Sequence, residues 1–135
     1  MNTAPYGTWK SPISSYLIVK GAIGLSSPDF LQNGICWIES RPQEGGRSVL
    51  VHQDQEGNVR DITPSSFNIR TRVHEYGGGS SLIHNGVHYF SNFSDQQLYQ
   101  HNLGDPEPTQ LTDSERLRFA DGCLLYTSPS PRDRG

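Results

Sequence analysis

The chain repeats itself at an offset of about fifty residues, and that constrains its fold more than any other feature. Asn33-Gly34-Ile35-Cys36-Trp37-Ile38 lies over Asn85-Gly86-Val87-His88-Tyr89-Phe90. Each copy is an Asn-Gly pair followed by a short β-branched and aromatic run, the signature of a tight hairpin between antiparallel strands. Downstream, the run 47–53 matches 97–101, and Val59-Arg60-Asp61-Ile62-Thr63 matches Pro108-Thr109-Gln110-Leu111-Thr112. Each unit therefore reads as four strands, at 23–31, 35–40, 47–53 and 58–63, then at 79–84, 87–92, 96–101 and 108–112. Leu117-Arg118-Phe119-Ala120-Asp121 would open a third unit.

Four-stranded units at roughly this period predict an all-β fold of about two antiparallel blades of an incomplete β-propeller. A ring of roughly seven such blades needs about 300–350 residues, so 135 residues cannot close one. Adjacent Ig-like or meander sheets can imitate the period. The predicted organisation is a leader over 1–22 with a helical turn near Ser14 to Val19, blade 1 over 23–66, blade 2 over 67–116 and the start of blade 3 over 117–122.

The run from Cys123 to Asp133 has neither helical nor strand periodicity. It can be spelled in one frame of the transposon-end adapter used to prepare sequencing libraries. Residues 123–135 are accordingly read as adapter read-through, with the natural chain ending near Asp121 or Gly122. A natural Ser/Pro-rich tail is the alternative.

Composition removes several function classes. A formal net charge of −3 gives no general attraction to phosphate backbones or anionic lipid. No apolar run is long enough to span a membrane. The absence of a basic then apolar leader argues against secretion, so no nucleic-acid or membrane partner is expected and the location expected is cytoplasmic. The two cysteines have no metal-type spacing, and Cys36, in an apolar run, reads as a buried strand residue. No cofactor is expected.

The most distinctive segment is Asn68 to Gly79, between the two units. Its three glycines either cradle a ligand with backbone N–H groups or let one blade enter beside its neighbour without Cβ clashes. A phosphate loop would open a helix, whereas Ser80 to Ile83 reads as a strand. His74, Glu75, Tyr76, Gly77, Gly78 and Gly79 are candidate channel or blade-junction residues. The three side chains are expected to form a buried hydrogen-bond network rather than to line a channel. His84 and His88 have a zinc-like spacing, but Asn85-Gly86 turns the chain between them. His52 and His101 hold equivalent third-strand positions, and Glu39, Arg41, Glu44 and Arg47 bracket Gly45-Gly46 as a solvated rim loop. Gly-x-Ser-x-Gly is absent and no triad can be assembled, so no catalytic or metal residue is assigned.

Several stretches carry a resemblance in register across residues 4–121. They are 4–13, Trp37 to Pro42 with Glu44 to Arg47, Asp61 to Pro64, Arg70 to Gly79, and Tyr89 to Gln96. Together they resemble the N-terminal propeller of prolyl-oligopeptidase-family serine peptidases of the dipeptidyl aminopeptidase or acylaminoacyl peptidase type. The resemblance implies a C-terminal α/β-hydrolase domain in cis that carries the catalytic triad, and a propeller that filters short peptide substrates. The fragment itself is expected to be inactive. A non-enzymatic propeller binding a protein or carbohydrate partner is the alternative. If the tail is read-through, genomic DNA of the source organism will diverge from this sequence after Gly122. An unchanged genomic tail would show residues 123–135 to be natural.

Overall fold

The computed structural model describes residue 3, residues 5–8 and residues 10–124. The read-through assignment for residues 125–135 thus lies outside the described residues. A short helix α1 (Ser15–Val19) is capped by Ser14, whose hydroxyl accepts from the Leu17 N–H at 3.1 Å. Eight strands follow: β1 (Gly24–Leu31), β2 (Gly34–Arg41), β3 (Arg47–Gln53), β4 (Val59–Asp61), β5 (Ser81–His84), β6 (Val87–Ser91), β7 (Leu98–Asn102) and β8 (Thr109–Gln110). They form two four-stranded antiparallel meanders, β1-β2-β3-β4 and β5-β6-β7-β8. The all-β, blade-like architecture is the expected one. Residues 117–121 form no strand, so the expected opening strand of a third unit is not present among the described residues.

The outermost strand of each meander is short, and the same device holds it. The Thr63 hydroxyl accepts from the Leu50 N–H at 2.9 Å, and the Thr112 hydroxyl accepts from the Leu98 N–H at 2.9 Å. Next to each threonine an apolar residue donates its N–H to the same leucine carbonyl, Ile62 to Leu50 and Leu111 to Leu98, both at 2.8 Å. A hydroxyl acceptor thus continues each ladder where β pairing ends, which keeps buried backbone groups satisfied.

The core joins the sheets. Leu31, Cys36, Ile38, Leu50 and Ile62 from the first pack with Ile69, Phe90 and Tyr99. Strand β3 is buried on both faces over Val49 to His52, while β2 alternates, with Cys36 and Ile38 inward. Phe67 reaches from the connector to meet Phe90 and Tyr99 edge-on at 5.8 and 5.0 Å. Burial, with the nearby Asp29 charge, pushes the Cys36 thiol up to about 11, so it is an inert packing residue.

The two Asn-Gly pairs do different work, which corrects the expectation of equivalent turns. Asn85-Gly86 sits at the centre of the β5–β6 hairpin, with φ of 48° and 78°, as a type I′ turn requires. In the β1–β2 hairpin Leu31 pairs with Gly34, so the loop is Gln32-Asn33 and Gln32 carries the positive φ of 52°. Gly34 is already in the strand, and a Cβ there would collide with the Gln53 carbonyl and the His52 ring. Glycine is needed there for close approach rather than for an unusual dihedral. The rim charges are also corrected. Arg41 binds both oxygens of Asp61 at 2.7 Å and Glu39 at 2.7 Å, and Arg47 binds Glu44 at 2.5 Å. The Arg41, Glu39 and Arg47 side chains are 17%, 15% and 14% exposed and form a clamp across β2 and β4, while Glu44 and the turn 42–45 are exposed as expected.

Urea titration followed by Trp37 fluorescence checks the two glycines. Gly34→Ala should cost about 3 kcal/mol, because backbone must move. Gly86→Ala should cost about 1 kcal/mol for a left-handed alanine. Equal losses would contradict this account of Gly34.

Candidate functional site

The two meanders meet at the connector 67–79. Ile69 donates to Ser48 O at 2.9 Å toward the first sheet, and Arg70 donates to Ser91 O at 3.1 Å toward the second. Asn68 bonds to both sheets here. Its side-chain oxygen accepts from Ser48 N, its carbonyl accepts from Phe93 N, and its N–H donates to Asn92 Oδ1. Arg72 N donates to Gln96 Oε1 at 2.7 Å. The arginine side chains stack on one ring, Arg70 5.0 Å and Arg72 4.1 Å from the Phe93 centroid.

Beyond Arg72 the candidate residues separate. His74 and Gly77 close a tight turn, Gly77 N donating to His74 O at 3.0 Å, and the His74 and Tyr76 rings stack at 5.1 Å. His74, Glu75 and Tyr76 are exposed, Tyr76 by 89%, so the expected buried network of these side chains is not formed. A turn of four residues presents its side chains outward, and the buried polar contacts fall to Thr71, Ser91, Asn92 and Gln96 instead. Gly78 and Gly79 act as junction residues. A Cβ on Gly78 would stand 3.2 Å from the Ala120 Cβ, and one on Gly79 would stand 2.7 Å from Asp121 Oδ1. Segment 118–121 occupies that space. Asp121 N donates to Gly79 O at 2.7 Å and Gly79 N to Asp121 Oδ1 at 2.8 Å, while Thr71 and Ser91 both donate to Phe119 O.

On the side of β1 and β5 the junction borders an open cavity of about 240 Å³, lined by Ser26, Ser27, Ser48, Arg70, the 76–79 turn and Ser80-Ser81 among others. Ser27 is left-handed, φ 50°, at a register shift between Ser26 and Asp29 in β1. Sequence reasoning missed this bulge, though Pro28 inside a strand run is its usual signal.

Three histidines are buried. His52 Nε2 meets Leu31 O at 3.1 Å, His101 Nε2 meets Asp105 O at 3.0 Å, and His88 Nε2 meets Ser81 Oγ at 2.9 Å. Each Nδ1 is buried without a partner among the described residues. A nitrogen facing a carbonyl must carry the proton, so Nε2 is the donor in His52 and His101. The equivalent His52 and His101 thus both pack inside, each against a main-chain carbonyl. Ser81–His88 has the spacing of a nucleophile and its base, but no group orients Nδ1. Burial, and secondarily His101 across the β6–β7 pair, lowers the His88 pKa to about 3, a poor base at neutral pH. No group of three metal-ligating side chains is placed to hold an ion among the described residues.

Fold and junction together define a part of a β-propeller, two blades locked through their connector. The comparisons name its relatives. A puromycin-hydrolysing peptidase of Mycobacterium tuberculosis matches with a TM-score of 0.72 and 38% identity over 89% of this chain. A puromycin hydrolase matches at 0.74 with 31% identity over 93%, and a mutant of a puromycin hydrolase complexed with PGG matches at 0.74 with 32% over 91%. The chain spans about a fifth of these proteins, 20%, 21% and 20% of their lengths. No family model and no curated protein matches. These neighbours are peptidases of the prolyl oligopeptidase family, and the chain is similar to a propeller part of them.

His88 yields a pH prediction. Its folded pKa lies near 3, below the ordinary 6.5, so the unfolded chain binds the extra proton between those values. Stability should be fully present above about pH 6.5 and fall as pH drops toward 3. Urea midpoints measured across that range should show a flatter fall for His88→Gln. An unchanged slope would refute the assignment to His88.

Proposed function

We propose that this chain is the substrate-filtering propeller part of a serine peptidase that hydrolyses short peptides. Identity of 31–38% to puromycin-hydrolysing peptidases over nine-tenths of the chain, with the fold retained, carries this reading. In it the chemistry is acyl transfer from a serine activated by histidine, in an α/β-hydrolase domain carried by the same polypeptide. The part described contributes a rigid wall that selects by size what reaches that domain. Cys36, the cysteine of the part read as natural, is free and fully buried, which suits a reducing compartment, and a cytoplasmic enzyme is part of the proposal. So is an aminopeptidase specificity of the dipeptidyl or acylaminoacyl type.

The test uses the complete open reading frame of the source organism beside the 135-residue chain. A serine-directed fluorophosphonate probe should label the complete protein and leave the short chain unlabelled, and only the complete protein should release amino acids from short peptides. Labelling of the short chain, or a complete protein without peptidase activity, would overturn the reading.

A further inference from the structure

Two cations share the ring of Phe93 without an anion beside them. The Arg70 and Arg72 guanidinium groups lie 5.0 and 4.1 Å from its centroid, so both are gathered at one side chain. A third, Arg118, donates from Nη1 to Arg72 O at 3.1 Å. None of the three forms an ion pair among the described residues, whereas Arg41 and Arg47 are both paired with acids. The acid nearest to Phe93 in sequence is Asp95, and its carboxylate is turned to other work. It accepts from Asn92 Nδ2 at 3.2 Å, from Gln97 N at 3.0 Å and from the Tyr99 hydroxyl at 2.7 Å.

The backbone beneath these side chains is locked. Phe93 N donates to Asn68 O at 2.9 Å, and Arg70 N donates to Ser91 O at 3.1 Å. Buried Gln96 holds the rest, its Oε1 accepting from Arg72 N at 2.7 Å and its Nε2 donating to Phe93 O at 2.8 Å. It does so with a left-handed φ of 62°, a conformation unfavourable for any residue but glycine. Like charges fixed side by side repel, and an anion docked against both relieves that repulsion. A guanidinium stacked on an aromatic face keeps its N–H edge free for a carboxylate. The platform also sits where the chain turns, in the connector and the β6–β7 loop, and on no sheet face. Neighbouring repeat units pack through their faces, so a further blade would leave it uncovered.

We propose that Arg70, Arg72 and Phe93 form a docking platform for an acidic segment of the α/β-hydrolase domain. The inference rests on the peptidase reading for the presence of that domain in the same polypeptide. This chain spans 20% of the first relative's length, which leaves most of such a protein to supply the segment.

The test is zero-length cross-linking of the complete protein. In the double variant Arg70→Lys and Arg72→Lys the charges stay, and each position gains an amine that a carbodiimide joins to a touching carboxylate. Peptide mapping should find position 70 or 72 joined to an aspartate or glutamate of the hydrolase domain. Arg60→Lys, replacing an exposed arginine of β4 that has no ion pair among the described residues, should give no such product. If the double variant fails to fold, Arg72→Lys alone decides and is read in the same way. Cross-links confined to residues 1–122, to a further blade or to a second molecule would overturn the proposal. So would no cross-link at all, or an equal yield from Arg60→Lys. The hydrolase-domain cross-link in a complete protein without peptidase activity would keep the platform and sink the peptidase reading. Peptidase activity without the cross-link would do the reverse.

Discussion

The fold depends on one strand of connector, Phe67 to Arg72, being hydrogen-bonded to both sheets at once. A single four-stranded meander buries little, and two meanders tethered by a flexible linker would bury no more. Here alternate groups of the connector face opposite ways: Ile69 N reaches Ser48 O, Arg70 N reaches Ser91 O, and Asn68 touches both sheets. Phe67 and Ile69 are thereby driven into the common core with Leu50, Phe90 and Tyr99. Polar satisfaction and apolar burial coincide at the same six residues.

Segment 118–121 extends that logic. It takes the place where Gly78 and Gly79 have no side chains, and its Phe119 carbonyl accepts from one hydroxyl on the connector and one on β6. Each successive stretch of chain thus closes over the junction of the previous two. Repeat folds of this kind draw stability from neighbour interfaces more than from single units. The first strand shows the other side of that dependence, since β1 is exposed along its length except at Leu31.

A propeller part supplies shape and boundary to an enzyme, and its chemistry is that of a wall. The buried Ser81–His88 pair illustrates the difference between resemblance to a catalytic dyad and capacity to act as one. Distance is right, but the imidazole is desolvated and unoriented, so it serves as a packing group. The accessible polar groups lie instead around the cavity beside Ser26, Ser27 and Ser48.

Much of the architecture was legible in the residues alone. Period, β-branched runs and turn formers locate all eight strands, because antiparallel pairing of neighbours is a local matter of alternation and turn chemistry. A helical turn near Ser14 to Val19 was likewise expected, while its Ser14 cap is a finding of the structure. What local pattern could not decide was which contacts distant residues make. Nothing near Arg41 announces Asp61, twenty positions away, and nothing in Asn33-Gly34 tells it from Asn85-Gly86. The first glycine is required by the Gln53 carbonyl packed against it, the second by its own dihedral. His74, Glu75 and Tyr76 looked like interior polar groups because their segment joins the blades, yet the turn they form points them outward. Sequence by itself determined the strands and their order, since those follow from neighbours in the chain. Tertiary structure alone decided the junction, the charge clamp and the polar cavity, since each is built from backbone and side chains that meet only when the two sheets pack.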